Sequence, residues 1–199
     1  MTSNAISLYT KRRSQYALGK TLPISETEVE TLIRQSIRLA PSSFNSQSSR
    51  AMILFGAAHE KLWNITRETL RPLVPADAFA ATDGKMTAFA AGAGTVLFFE
   101  DQDVIKDLQQ KFPLYASNFP IYSEHSAGMA QFAVWTALAE VGIGASLQHY
   151  SPLIDAEVAK LWNLPASWHL RAQMPFGANL QPFAEKAFVA DDLRFRTHR

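Results

Sequence analysis

The chain has 199 residues, 47% hydrophobic and 19% charged, with a formal net charge of +1. That length supports one large core, so residues 1–199 are read as a single domain, and the near-zero charge removes the global field that binding to nucleic acid or an anionic membrane surface would use. There is no cysteine, which excludes disulfides, thiolate nucleophiles and Cys-ligated metal centres and fits a cytoplasmic location.

The N-terminal MTSNAISLYTKRR lacks the apolar core of a signal peptide. Its basic end, Lys11-Arg12-Arg13-Ser14, has two readings. It is a solvated charge run at the last turn of a first helix, where cations suit the dipole, or a guanidinium fork for a phosphate. Ser25 to Glu28 then reads as a capping box, and Val29, Leu32, Ile33, Ile37 and Ala40 follow at helical spacing until Pro41 stops the pattern.

The next stretch, LAPSSFNSQSSR, is mostly polar although an apolar run follows it directly. Ser42, Ser43, Asn45 and Gln47 are either a self-bonded loop or a row of donor–acceptor groups complementary to a cyclic imide edge. AMILF (51–55) predicts a strand, 59–70 a helix broken by Pro72 and Pro75, GTVLFFE (94–100) a second strand, and 102–111 another helix. The longest apolar run, 88–99, falls well short of the roughly 20 residues of a membrane span. Residues 126–142 are apolar all round, as in a helix lying inside a protein or against another subunit. GASLQHY (144–150) predicts a third strand, 154–162 a helix and LRAQMPFG (170–177) a fourth strand. The class is α+β.

Motif tests remove several chemistries. His59-Glu60 starts like HExxH, but Trp63 stands where the second histidine belongs, so no metal ligands are assigned. Ser123, Glu124, His125 and Ser126 are neighbours on one helix and point apart, which rules out a relay among them. The lone GxG pieces at 92–94 and 142–144 lack the third glycine of a dinucleotide fingerprint.

Taken together and in order, KRRS, APSSFNSQSSR, GTVLFFED, GMAQFAVWTALAEVGIGASLQHYSP and QMPFG resemble the nitroreductase family over nearly the whole chain. The likeness is to its small fungal and bacterial branch. The resemblance implies a mainly antiparallel sheet flanked by helices in an intertwined homodimer. It implies an FMN-dependent oxidoreductase that takes hydride from NADH or NADPH and passes it to a nitroaromatic or quinone-type small-molecule acceptor by ping-pong kinetics, with a role in stress response. A flavin-binding regulatory protein with little turnover is the alternative.

By the same resemblance, Arg12, Arg13 and Ser14 hold the FMN phosphate and reach toward the ring, and Lys186 meets the phosphate from the C-terminal side. Pro41, Ser42, Ser43, Asn45 and Gln47 pack on the flavin bound mainly to the other subunit. Leu147, Gln148, His149 and Tyr150 cover one ring face, with the His149 backbone N–H toward N5. The flavin carries the hydride, so no catalytic side chain is implied. The chain departs from the family pattern at Ser48-Ser49-Arg50, where many members have Pro-Trp, and at Lys186-Ala187-Phe188, where a second cation is missing. Phe112, Tyr115 and Phe119 either shape the acceptor pocket or are plain packing.

Overall fold

The computed structural model describes residues 3–199. In chain order the elements are α1 (Asn4–Lys11), β1 (Leu18–Gly19), α2 (Glu26–Leu39), β2 (Ser49–Phe55), α3 (Gly56–Leu70), α4 (Phe79–Ala90), β3 (Gly94–Asp101), α5 (Gln102–Lys111), α6 (Phe119–Glu140), β4 (Gly144–Ala145), α7 (Asp155–Leu161), β5 (Trp168–Asn179) and α8 (Asp191–Arg194). Short 3-10 turns at Ser43–Asn45 and Pro113–Asn118 precede β2 and α6.

The strands form one antiparallel sheet in the order β1-β5-β3-β2, with β4 also paired to β5. β3 is central and buried on both faces, hence its unbroken apolar sequence. Alternate side chains enter two cores. Val96 and Phe98 meet Val29 and Ile33 of α2 and Val134 and Leu138 of α6. Leu97 and Phe99 join the opposite cluster, with Leu62 and Trp63 of α3, Met86 and Phe89 of α4 and Val158 of α7. The result is a three-layer α+β arrangement.

The expected capping box is present. Ser25 Oγ accepts from the Glu28 N–H, and Glu28 Oε2 accepts from the Ser25 N–H at 2.9 Å. The helix expected over 126–142 begins earlier, at Phe119, because Pro120 sits in its first turn, where its missing N–H costs nothing. The strand expected over 144–150 is a correction. Only Gly144–Ala145 pair as a strand, and beyond them the chain keeps to β5 through an isolated bridge, Gln148 to Gln173, and scattered single bonds from Ser146, Tyr150 and Ser151. The helix α4 was not expected, since FAATDGKMTAFA shows no clear polar and apolar faces. The apolar run 88–99 therefore spans the end of one helix, a turn and a strand.

Gly177 marks a close crossing, where a Cβ would lie 2.2 Å from the Gly19 carbonyl oxygen. Only glycine lets β1 lie against β5 at that point.

His59 is buried in α3 and fully partnered. Its Nδ1 lies 2.8 Å from Thr95 Oγ1 and its Nε2 3.3 Å from the Ala90 carbonyl. Trp63 Nε1–H donates to the same Thr95 oxygen at 3.0 Å. The consistent arrangement is a neutral ring protonated at Nε2, with the Thr95 hydroxyl donating to Nδ1. Burial holds the His59 pKa below the usual histidine value, ahead of the opposing backbone contact at Ala90. A lowered folded-state pKa contributes stability above the unfolded value of about 6.5 and loses it as pH falls toward the folded one. The urea midpoint should therefore drop between about pH 7.5 and 5.5 more steeply in the wild type than in His59→Gln.

Candidate functional site

Two groups of polar side chains stand out, one at each end of β3. The first gathers around the chain between α1 and β1. Ser14 bridges in parallel to Ala145 of β4, and the Gln15 N–H donates to the Ala145 carbonyl at 2.9 Å. Gln15 is buried and its Nε2 donates to the Gln181 carbonyl at 2.7 Å. Arg13 donates to the Ala184 carbonyl. The N-terminal basic segment, the β4 segment and the C-terminal tail are thus tied together, while Lys186, two residues beyond Ala184, is exposed with its ammonium over the Phe188 ring at 5.1 Å.

The Arg12 guanidinium lies 4.5 Å from the centre of the Trp135 ring on α6, and its Nε is buried without a hydrogen-bond partner. Burial first, and then the charge of Arg13, push the Arg12 pKa below the usual arginine value. Arg12 is thus a half-buried guanidinium stacked on an aromatic ring rather than part of a freely solvated charge run.

From Ala145 the chain runs along β5 to Tyr150. Gln148 exchanges two backbone hydrogen bonds with Gln173, at 2.7 and 2.9 Å, and its side chain donates to Ser146 Oγ at 3.0 Å. The Tyr150 N–H donates to the Gln173 side-chain oxygen at 2.8 Å. A side chain thus takes over where the ladder stops, which is why this stretch is ordered without being a strand. The Gln173 Nε2 is buried without a partner. Leu147 and Gln148 are half-buried, while His149 projects outward, and no acceptor among the described residues takes its backbone N–H.

The second group is the loop after α2. Pro41 is exposed, and Ser42 and Ser43 are half-buried. The Ser43 N–H donates to Ser126 Oγ on α6 at 3.3 Å, and Ser42 Oγ accepts from the Gln47 N–H at 2.9 Å. Phe44, Asn45 and Gln47 have positive φ of 57°, 49° and 49°, a conformation that costs L residues roughly 1 kcal/mol each. Phe44 is exposed, with its ring 4.9 Å from Phe112 and 5.2 Å from Phe119. Phe119 is buried packing, whereas Phe112 and Tyr115 stay partly open beside the loop. An open cleft of about 600 Å³ adjoins the loop, lined by Arg38, Pro41, Ser42, Gln47, Arg50 and Trp168 among others.

Within one chain the two groups do not meet. Ala145 pairs with Phe176, which lies opposite Gly94 at the start of β3, while Ser49 pairs with Glu100 near its end. At about 3.3 Å per strand residue the separation along β3 runs from on the order of 20 Å at Ala145 to about 10 Å at Gln148, whose partner Gln173 faces Leu97.

A nitroreductase-family model matches residues 9–178, most of the chain. The chain belongs to the nitroreductase family. Among its relatives, HBN1 of Saccharomyces cerevisiae is 35% identical over 196 residues, covering 96% of this chain and 97% of that one. The nitroreductase CinD of Lactococcus lactis, solved with nicotinic acid, is 47% identical with a TM-score of 0.92, covering 98% of this chain and 100% of the other. CinD has also been solved with 4-nitrophenol and with chloramphenicol. A nitroreductase of Desulfitobacterium hafniense with bound FMN, 12% identical, shares the fold at a TM-score of 0.73 and covers all of both chains. Family and fold make this nitroreductase an oxidoreductase for nitro-type acceptors.

Sequence reasoning missed Gln15 and Gln173, the two buried amides that hold the first group together. Gln173 had a readable signal, since it is an amide set among the apolar residues of 172–176 in the middle of a strand. Gln15 had none. Gln173→Leu should cost about 1–3 kcal/mol in a urea titration, because it leaves the Tyr150 N–H without its acceptor.

Proposed function

We propose that this chain is an FMN-dependent NAD(P)H oxidoreductase that reduces nitroaromatic or quinone-type acceptors by ping-pong hydride transfer and works as a homodimer. The observation that carries the cofactor reading is Arg12, a guanidinium with a buried, unpartnered Nε next in sequence to a second arginine. A phosphate monoester supplies the oxygens that this cluster lacks. FMN-bound neighbours of the same fold support the choice of flavin.

When bound, FMN would supply the two-electron chemistry that no side chain of this protein provides. Arg12, Arg13 and Lys186 would neutralise its phosphate, and Ser14 would add a hydroxyl donor. Leu147, Gln148, His149 and Tyr150, stiffened by Gln173, would form one wall of the site, and the free His149 N–H would be its fixed donor. Pro41, Ser42, Ser43, Asn45 and Gln47 would close the opposite side from a second copy. The acceptor class follows CinD, whose complexes with 4-nitrophenol and chloramphenicol hold nitroaromatic molecules. A cytoplasmic enzyme of stress response is the physiological setting we favour.

The distance between the two groups supports the dimer, because a second copy related by a twofold axis would complete two equal sites. Other features agree. Ile6 and Tyr9 of α1 and Met129 and Phe132 of α6 are exposed apolar residues, as are Phe188, Val189, Leu193 and Phe195 of the tail. β2 lies at one end of the strand order, an edge that a second copy could cover, while the apolar tail leaves the sheet at the opposite end, beside β1.

Purified protein incubated with FMN and desalted should retain the flavin absorbance bands, and anaerobic NADH or NADPH should bleach them. Retained bands that do not bleach would move the reading to a flavin-binding regulatory protein, and a colourless protein would overturn the flavin reading. Arg13→Ala should weaken FMN binding about 10- to 100-fold, as loss of a charge-assisted hydrogen bond predicts. Sedimentation at low micromolar concentration should show a dimer. A folded monomer would defeat the shared-site reading.

A further inference from the structure

Glu100 is a carboxylic side chain placed wholly inside the protein, near the end of the central strand. Ser48 Oγ lies 2.5 Å from its Oε2 and Ser49 Oγ 2.5 Å from its Oε1. The neighbouring residues grip the same stretch. The Asp101 N–H donates to the Ser48 carbonyl at 3.0 Å. The Arg50 guanidinium donates to the Gln47 carbonyl at 2.6 Å and to Asp101 Oδ2 at 3.0 Å.

These contacts begin where the left-handed residues Phe44, Asn45 and Gln47 end. The loop closes on itself through Asn45 N–H to the Ser42 carbonyl and Gln47 N–H to Ser42 Oγ, but neither bond ties it to the sheet. A buried carboxyl is an expensive way to pack a strand end, and an aliphatic residue would serve packing alone. What the carboxyl adds is two directed bonds to consecutive serines, at the place where this chain has Ser48-Ser49-Arg50.

We propose that Glu100 is the positioning residue of the Pro41–Gln47 loop, its buried carboxyl fixing, through Ser48 and Ser49, the geometry that the loop presents across the dimer. What the loop faces rests on the flavin reading above. That Glu100 holds it does not.

The charged groups around Glu100 are Glu124 of α6 and Arg171 of β5, paired at 2.8 Å, and Arg50 of β2 with Asp101 of β3, paired at 3.0 Å. His169 stands opposite it in the β5 register. Burial pushes the Glu100 pKa up, more than the serine bonds pull it down. The fold thus favours the neutral acid. Its contribution is full below the unfolded carboxylate range and is lost as pH rises through the folded-state pKa. Glu100→Gln keeps the shape and is neutral at every pH.

The test is hydrogen–deuterium exchange on the full chain, with and without added FMN, comparing residues 42–49 with the core strand at 170–177. Glu100→Ala should speed exchange in 42–49 about tenfold while leaving 170–177 unchanged. Glu100→Gln should stay near wild type and remove the excess loosening of the loop that wild type shows as pH rises. The Ser48→Ala/Ser49→Ala variant, with the carboxyl intact, should reproduce the Glu100→Ala pattern, and it supplies the measurement if Glu100→Ala fails to fold. FMN affinity, read by fluorescence titration, should fall about tenfold in the loosened variants and less than about threefold in Glu100→Gln. Wild-type exchange in 42–49 for the serine variant overturns the proposal. A wild type that does not bind FMN overturns the flavin reading instead, and leaves the exchange data to decide the role of Glu100.

Discussion

The antiparallel pairing of β3 with β5 is the constraint on which the other features depend. β3 is paired along both edges and buried on both faces, so neither its register nor its side-chain facing can slip without moving an apolar set into the wrong layer. Each candidate group is attached to this pair, with further contacts to α6 through Arg12 on Trp135 and Ser43 on Ser126. Ala145, Gln148 and Tyr150 are held by β5, and Ser48 and Ser49 by the end of β3. A site built on strand backbone inherits the rigidity of the sheet. The same geometry keeps the two groups apart within one chain.

The polar chemistry inside the protein is of two kinds. His59 with Thr95 and Trp63 forms a closed, neutral network in which each donor has an acceptor, and it lies among the core residues behind α3. Arg12 and Gln173 are different, since each keeps a buried nitrogen without a partner. Natural structures rarely leave such atoms unpaired, and where they do the atoms commonly face a ligand. Trp135, Thr136 and Asp155 also keep a buried atom without a partner, so it is the place of Arg12 and Gln173 beside residues 12–14 and 147–150, and not the missing partner alone, that sets them apart.

Much of the fold was legible because its signals are local. The Ser25–Glu28 capping box, the stop at Pro41 and the apolar run of β3 each depend on neighbours within a few residues. What could not be read depends on partners far along the chain. GASLQHY has the composition of a strand, but only Gly144 and Ala145 pair in regular register; Ser146 and Gln148 keep isolated backbone bonds to β5, and a glutamine side chain takes the Tyr150 N–H. The sequence at Trp63 already told against a metal motif at His59, but that Thr95 and Ala90 occupy its two ring nitrogens could be read only from the fold. α4 lacks a polar face because its alanines serve on either side of a helix. Of the site residues, those in runs of unusual polarity, Arg12 to Ser14 and Pro41 to Gln47, were visible, while the part that buried Gln15 plays in holding the first run was not.

The C-terminal tail is anchored in an unequal way. Arg13 and Gln15 both donate to carbonyl oxygens of the main chain, at Ala184 and Gln181, and the Leu180 N–H returns a bond to the Ala17 carbonyl. A carbonyl is offered by every residue, so these tail positions can drift in identity over generations and keep the anchor, while Arg13 and Gln15 cannot. Length is a different matter. Inserting or deleting one residue between 180 and 184 would carry the wrong carbonyl to each donor, so selection there should act on spacing and leave spelling free.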